Sequence, residues 1–212
     1  MIFEVLTNPH ATLESAANQR RVWSAAGVVG LWALLNLVLT ALLVFGGDLR
    51  EQFAGLSPAV LEQVVLTLRN LGPVAALLFP FVWWISVSAL MLLAVRLFDG
   101  RTDYASLVAV VGVSCAPWVL GYAVQLPAGV LQLVLGDEGW LSSVLGAITF
   151  AVSMASLAAH VILVVYGAQI AAGTSYRGAA ASCALTGLGC ATAGFVLLIS
   201  ILTLVFVLSG AT

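Results

Sequence analysis

The amino-acid sequence predicts an all-α fold, a polytopic membrane helical bundle with five transmembrane helices. Of its 212 residues, 62% are hydrophobic and only 8% are charged, whereas a soluble domain carries roughly a quarter charged residues. Five apolar stretches also reach the roughly 20 residues that a helix needs to cross the hydrocarbon layer of a bilayer. The predicted spans are about 22–45, 73–97, 104–135, 141–168 and 181–208.

The third predicted span differs from the others because it contains Pro117, Gly121 and Pro127. A proline removes a backbone donor and clashes with the preceding turn, so we expect this span to be kinked or broken between the two prolines. Lipid offers no donor to the carbonyl groups that the prolines release, so polar side chains must approach them. The candidates are Asn36, Gln125 and Gln132.

Two hypotheses account for such a break. In the first, the break lines a hydrated cavity or a binding site for a lipid or solute, as discontinuous helices do in transporters. In the second, packed neighbours and the amide side chains satisfy the released carbonyl groups without a cavity. His160, in the fourth predicted span, is a further candidate for the lining of this region.

His160 and Ser114 are the candidates for catalysis inside the membrane. A serine activated by a histidine would support intramembrane hydrolysis. The alternatives are a serine bonded to its own helix and a neutral imidazole bonded to a neighbouring helix. The spans contain no second histidine and no Asp or Glu. We therefore expect no catalytic residue, no metal site and no cofactor.

Two segments outside the spans are predicted to lie at the membrane surface. Residues 1–20 mix apolar and polar side chains around Pro9 and form a lead to the single membrane domain, residues 21–212. Residues 48–70 predict an amphipathic interfacial helix between the first two spans, with Ser57 as its cap and Pro58 as its first residue. Its apolar face consists of Leu61, Val64, Val65 and Leu68.

The arginines predict the orientation of the chain. With the N-terminus inside, the inner segments hold five arginines and the outer segments hold Arg50 and Arg69. The positive-inside rule then places the N-terminus in the cytoplasm and the C-terminus outside, in the cytoplasmic membrane of the cell. No clustered basic stripe is present, which excludes a nucleic-acid partner. The five inner arginines are Arg20, Arg21, Arg96, Arg101 and Arg177.

Small residues recur at four-residue spacing in the last two predicted spans. Such faces allow helices to approach closely in lipid, where no hydrophobic force drives association. We expect the two faces to pack against each other within one chain, and a homodimer interface is the alternative. The faces are Ala147, Ala151, Ala155 and Ala159 in the fourth span, and Ala179, Cys183, Gly187 and Ala191 in the fifth.

Three segments carry a resemblance to a known family. Residues 96–127, RLFDGRTDYASLVAVVGVSCAPWVLGYAVQLP, contain a polar turn with Gly100, then Tyr104, then Gly112 and Pro117 in Gly-x-x-x-x-Pro spacing. Residues 3–14 form a short Pro-containing lead, and residues 160–181 place a small-residue turn before a basic residue and an Ala-rich helix. This pattern resembles the Yip family of five-span membrane proteins, named for interaction with Rab-type GTPases, and its prokaryotic branch in particular.

The resemblance implies a fold and a broad role in membrane organisation or trafficking, with no reaction attached. We therefore expect a non-enzymatic scaffold whose partners are membrane lipids and other membrane proteins or a second copy of the chain. A small transporter or channel built on the broken third helix is the first alternative. An intramembrane hydrolase built on Ser114 and His160 is the second.

Overall fold

The computed structural model describes residues 2–47, 49, 55, 57–135 and 139–208, with side chains up to residue 192. Throughout this part of the chain, regular secondary structure is α-helical. The helices are α1 (Ile2–Thr7), α2 (Pro9–Asn18), α3 (Val22–Gly46), α4 (Pro58–Leu97), α5 (Tyr104–Val113), α6 (Ala116–Leu135), α7 (Trp140–Ala172) and α8 (Tyr176–Leu208).

Four stretches of the described chain are long and apolar enough to cross a membrane, and they contain the first four predicted spans. They are Val22–Gly46, Pro58–Leu97, Tyr104–Leu135 and Trp140–Ala172. The fifth predicted span, 181–208, lies within α8, but the side chains beyond residue 192 are outside the described residues. A total of five spans therefore stays a prediction.

Helix α4 is continuous over 40 residues, about 60 Å at 1.5 Å per residue, and it merges the predicted interfacial helix with the second span. It begins at Pro58 with Ser57 at the N-cap position, as the sequence predicts, but the Ser57 side chain makes no capping hydrogen bond. The expectation of a separate surface helix ending near residue 70 is wrong, because the helix continues through Pro73. Residues 48, 50–54 and 56 of that predicted segment lie outside the described residues.

Packing against α3 explains why α4 continues through Pro73. Val65 is buried against Val44 of α3, and Leu61 and Leu68 pack around them. These are residues of the predicted apolar face. One turn further along, a Cβ atom at Gly72 would lie only 3.7 Å from Val44. Val44 thus packs against α4 before the proline, and Asn36 of α3 bonds to the Ala76 carbonyl oxygen after it. These contacts on both sides offset the one helical hydrogen bond that Pro73 removes.

The third predicted span is divided into α5 and α6 by a two-residue turn at Ser114 and Cys115. The interruption thus precedes Pro117, which is the second residue of α6. A missing N–H costs no helical bond in the first turn of a helix, so Pro117 is compatible with a helix start. Pro127 lies inside α6 without interrupting it, and a kink of this span between the prolines stays a prediction.

The N-terminal lead is part of the packed core, in contrast to the surface location that the sequence predicts. Val5, Leu13, Ala16 and Ala17 of α1 and α2 are at most 4% exposed and belong to the main apolar cluster, together with residues of α5 and α7. The Ser106 hydroxyl of α5 donates to the Ala17 carbonyl oxygen at 3.1 Å. The apolar residues of α2, spaced as 13, 16 and 17, form one helical face that is buried rather than left at an interface.

The two small-residue faces are not packed against each other. Ala151 and Ala155 of α7 are exposed, as are Gly187 and Ala191 of α8. A Cβ atom at Gly187 would find nothing within 4 Å. Of the predicted α8 face only Ala179 is buried, and Cys183 is half-buried. Ser182 and Thr186, which carry hydroxyl groups, are also buried in this part of α8.

Asp103 fastens the lead to the start of α5. Its carboxylate accepts the Ser106 backbone N–H at 2.9 Å as a helix cap and pairs with Arg20 at 2.8 Å. The Ser106 backbone hydrogen bond, followed by the charge of Arg20, holds the pKa of Asp103 below its usual range. The contribution of the ionised carboxylate to stability is therefore present at neutral pH and is lost as the pH falls through this lowered pKa.

We expect Asp103→Ala to lower the free energy of unfolding by about 1 kcal/mol, since a helix cap is lost. Asp103→Asn keeps the capping oxygen and loses only a half-exposed ion pair, which is worth at most a few tenths of a kcal/mol. Thermal unfolding in detergent measures both. The gap between wild type and Asp103→Asn should narrow in acid, and equal destabilisation of the two variants would contradict the cap.

Candidate functional site

An aromatic cluster joins four helices in the interior of the bundle. It consists of Trp32 from α3, Trp83 from α4, Trp118 from α6 and His160 from α7. The rings of Trp32 and Trp118 stack with centroids 6.1 Å apart and an interplanar angle of 14°. Trp83 stands edge-on to Trp32 at 5.7 Å and lies 5.1 Å from the His160 ring. Such contacts add to the apolar area that these large side chains bury.

His160 is 4% exposed, and its Nδ1 lies 2.7 Å from the Ser114 carbonyl oxygen. This oxygen is free because the Trp118 N–H bonds to the Cys115 carbonyl instead of reaching back to Ser114. A carbonyl oxygen only accepts, so His160 donates through Nδ1–H and is in the matching tautomer. The imidazole therefore closes the turn between α5 and α6.

The structure brings Ser114 and His160 together, but in an arrangement unlike that of a nucleophile and its base. The Ser114 hydroxyl donates to the Val110 carbonyl of its own helix at 2.8 Å. The contact with His160 uses the Ser114 backbone oxygen instead. A base-activated serine needs the hydroxyl and the imidazole in hydrogen-bond reach of each other. The hydroxyl is directed at Val110 instead.

Asn36 satisfies a carbonyl group that a proline releases, although the proline is in another span than the sequence predicts. Its Nδ2 donates to the Ala76 carbonyl oxygen at 2.8 Å, which has lost its helical donor because residue 80 is proline. Its Oδ1 accepts the hydroxyl of Tyr122 at 2.8 Å. Asn36 thus connects α3, α4 and α6, and it serves Pro80 of α4 rather than Pro117 or Pro127.

The two glutamines near the predicted break pair with α7. Gln125 Nε2 donates to the Ser153 hydroxyl at 3.0 Å, and Gln132 Nε2 lies 3.4 Å from the Ser142 carbonyl oxygen. Both side chains are half-buried. These two amides link α6 to α7 at two levels of the bundle. Their hydrogen bonds are with α7 and not with the carbonyl groups that the prolines of α6 release.

Pro117 and Gly121 line an open, mostly apolar groove of about 290 Å³. Leu6 of α1 and Ala155, Ser156 and Ala159 of α7 are among the other lining residues. A Cβ atom at Gly121 would lie 2.5 Å from the Ser156 Oγ, so glycine permits the close approach of α6 and α7. The predicted lining residues are therefore divided among this groove, the α6–α7 contacts and the centre of the bundle.

Residues Trp32, Trp118 and Tyr122 were not predicted as parts of a site, although their spacing carries a signal. Trp32 and Asn36 are four residues apart on α3, and Trp118 and Tyr122 are four residues apart on α6. The stacked tryptophans and the bonded Asn36–Tyr122 pair are both separated by 86 residues in sequence. An equal offset for two successive pairs means that α3 and α6 run parallel and in register.

Two buried side-chain donors of the described residues have no hydrogen-bond partner, Trp32 Nε1 and Trp118 Nε1. The Tyr122 side chain lies beside Trp32. As for metals, the described part of the chain contains no group of three His, Cys, Asp or Glu side chains that could hold an ion. The interactions of the cluster are thus ring packing among the three tryptophans and His160, and N–H donation by His160 to the Ser114 carbonyl oxygen.

We expect Asn36→Leu to lower the free energy of unfolding by roughly 1–3 kcal/mol, because the Ala76 carbonyl becomes an unsatisfied buried acceptor. In a Pro80→Ala background the backbone N–H restored at position 80 bonds to the Ala76 carbonyl within the helix. The cost of Asn36→Leu should then fall by about 1 kcal/mol. Unfolding in mixed detergent micelles gives the four free energies, and additive costs would refute the coupling.

We expect His160→Asn to be less destabilising than His160→Leu. The Asn Nδ2 reaches nearly the position of Nδ1 and can still donate to the Ser114 carbonyl, whereas Leu leaves that oxygen unsatisfied, at a cost of roughly 1–3 kcal/mol. Both variants lose the imidazole contact with Trp83. The difference in their melting temperatures therefore measures the hydrogen bond against the greater apolar burial of Leu, and a higher melting temperature for His160→Leu would contradict the prediction.

The comparisons with known proteins agree with this multi-helix architecture. The family model of the Yip1 domain matches residues 3–211. No curated protein and no solved structure shows significant similarity to the chain. Because the family match covers almost the whole chain and several of its helices are long and apolar, the chain is a multi-pass membrane protein that belongs to the Yip1 domain family.

Proposed function

We propose that the protein is a non-enzymatic membrane-organising scaffold that acts through lateral contacts with other membrane proteins and with lipid. One observation carries this proposal: the polar side chains that are candidates for a functional site form hydrogen bonds to the bundle itself. His160 bonds to the turn after α5, Asn36 to the carbonyl group released by Pro80, and Gln125 to Ser153 of α7. Polar groups of the membrane interior serve function when they face a substrate path or a reacting centre.

The same observation supports a scaffold over a transporter. A solute path across the bundle would use polar groups beside the discontinuous third span. The Gln125 and Gln132 amides contact α7 instead, and the groove at Pro117 and Gly121 is mostly apolar and open to the outside of the bundle. A hydrolase has less support still, because the Ser114 hydroxyl bonds to Val110.

The outward face of α7 offers a large apolar surface for lateral contacts. Phe150 is 66% exposed and Ile162 is 65% exposed, with Met154 between them. The exposed small residues Ala151 and Ala155 lie on the same helix. Small residues beside large apolar ones allow a second helix to approach closely in lipid. This face therefore suits a transmembrane helix of another protein or of a second copy.

Site-specific photocrosslinking tests the scaffold. We expect a photoreactive residue at Met154 to give adducts with discrete membrane proteins in intact cells. The same residue at Ala109, which is fully buried in α5, serves as the control and should give adducts only within the chain. Adducts with lipid alone would contradict the scaffold, and adducts only with a second copy would replace it by a homodimer.

We also propose that the N-terminus faces the cytoplasm and the C-terminus faces outward across the cytoplasmic membrane, on the strength of the arginine distribution. Reporter fusions at the C-terminus and near residue 138 should then be active only on the outside, and a fusion near residue 175 only on the inside. Asp48, Arg50, Asp137 and Glu138 lie outside the described residues, so the fusions test the sequence argument directly. A cytoplasmic C-terminal reporter would refute this orientation.

A further inference from the structure

One end of the bundle carries a group of arginines that the described interior of the protein does not use. Arg96 lies in the last turn of α4, Arg101 in the loop between α4 and α5, and Arg177 in the first turn of α8. All three are exposed. Within the described part of the chain none of them has a carboxylate within 4 Å, whereas Arg20 pairs with Asp103 and Arg21 donates to Gln19. We call Arg96, Arg101 and Arg177 the arginine rim.

The loops that carry the rim are fastened to each other. The Arg101 backbone N–H donates to the carbonyl oxygen of Ala172, the last residue of α7, at 3.0 Å. The Thr174 hydroxyl lies 3.4 Å from the Phe98 carbonyl oxygen. A Cβ atom at Gly178 would lie 3.5 Å from the Phe98 Cβ, so the start of α8 also packs against this loop. The three arginines therefore project from one connected surface rather than from independent loops.

The residues around the rim are those of a membrane interface. Tyr176 is 61% exposed, Tyr104 and Phe98 are each 39% exposed, and Leu97 is 72% exposed. Aromatic side chains with one polar end concentrate at the level of lipid headgroups, and arginines beside them reach the same level. The same loop contains two acidic residues: Asp103, which pairs with Arg20, and Asp99, which is exposed without an ion pair in the described structure.

We propose that the arginine rim binds the headgroup phosphates of anionic phospholipids in the adjoining leaflet. The charge complementarity is direct: three guanidinium groups pair with no carboxylate of the described residues, and they outnumber Asp99, since the other carboxylate of this loop, Asp103, is already paired with Arg20. A guanidinium group matches two phosphate oxygens with parallel N–H donors, which a neutral polar side chain cannot do. The inference deepens the proposed function, on whose lipid contacts it rests, by naming the lipid class and the surface.

The opposite end of the bundle provides a matched control. Arg69 is exposed on the N-terminal part of α4, before Pro73. It lines a surface groove together with Glu62. Its removal changes the charge of the chain by the same amount as the removal of one rim arginine. A general attraction between any exposed arginine of the chain and anionic lipid would respond to both substitutions. Lipid binding at the rim would be weakened only by the substitution of a rim arginine and not by that of Arg69.

The test is lipid binding by the detergent-purified full chain, measured by native mass spectrometry. Phosphatidylglycerol and phosphatidylcholine with identical acyl chains are titrated separately, and inorganic phosphate is then added as a competitor. We expect wild type to prefer phosphatidylglycerol, each of Arg96→Gln, Arg101→Gln and Arg177→Gln to weaken its binding about fivefold, and Arg69→Gln to leave it unchanged. Competition by millimolar inorganic phosphate would indicate a site for the free anion and would overturn a lipid site.

Retention of the preference in all three rim variants, or an equal loss in Arg69→Gln, would also overturn the proposal. An acidic peptide is titrated in the same way. If wild type binds both lipids equally but retains the acidic peptide, and the rim variants lose it, the surface is a protein-binding site instead. The melting temperature of each single variant in phosphatidylcholine checks that it is folded. The rim variants should keep the protein adducts formed at Met154, so a failure of this proposal is distinguishable from a failure of the scaffold.

Discussion

The absence of water from the membrane interior is the constraint on which this structure depends. A backbone carbonyl group that loses its helical donor inside a bilayer has no solvent to bond, and leaving it bare costs several kcal/mol. Two such groups lie at Ala76, through Pro80, and at Ser114, through the turn between α5 and α6. Asn36 supplies the donor for the first and His160 for the second. Each donor comes from a different helix, so satisfying the backbone also fixes how the helices are arranged.

The same interactions explain the register of the bundle. Trp32 and Asn36 of α3 meet Trp118 and Tyr122 of α6 at a constant offset, which aligns two parallel helices. Helices α3 and α4 approach the buried helix α5 so closely that glycine is needed at position 112. A Cβ atom at Gly112 would overlap Ala25 of α3 and the Trp84 ring of α4. Trp84 in turn donates to the Val108 carbonyl at 2.7 Å. Aromatic side chains with N–H or O–H groups are well suited to this role because one residue supplies both buried area and a donor.

This use of polar residues bears on function. The two catalytic candidates, His160 of α7 and Ser114 of the turn between α5 and α6, instead form the hydrogen bond that closes this turn. The apolar face of α7 and the arginines at one end of the bundle lie on the outside of the described part of the protein. A protein whose candidate site residues His160, Asn36 and Gln125 bond to its own helices, and whose outer faces remain available, suits a role in lateral association within the membrane. This is in keeping with its membership of the Yip1 domain family.

The sequence alone determined the helical class, the positions of four apolar spans, the start of α4 at Pro58 and the family resemblance. Length, hydropathy and turn residues act locally along the chain, so these features are legible without tertiary structure. Local patterns also showed that Asn36 and His160 were unusual. They could not identify the carbonyl groups these residues serve, because several prolines release similar groups and only the packing of α3, α4 and α7 selects among them. For the same reason the burial of residues 1–20 and the outward exposure of Ala155 and Gly187 were decided by tertiary structure: an apolar or small-residue face is compatible with lipid, with a partner or with the core, and neighbouring helices determine which it meets.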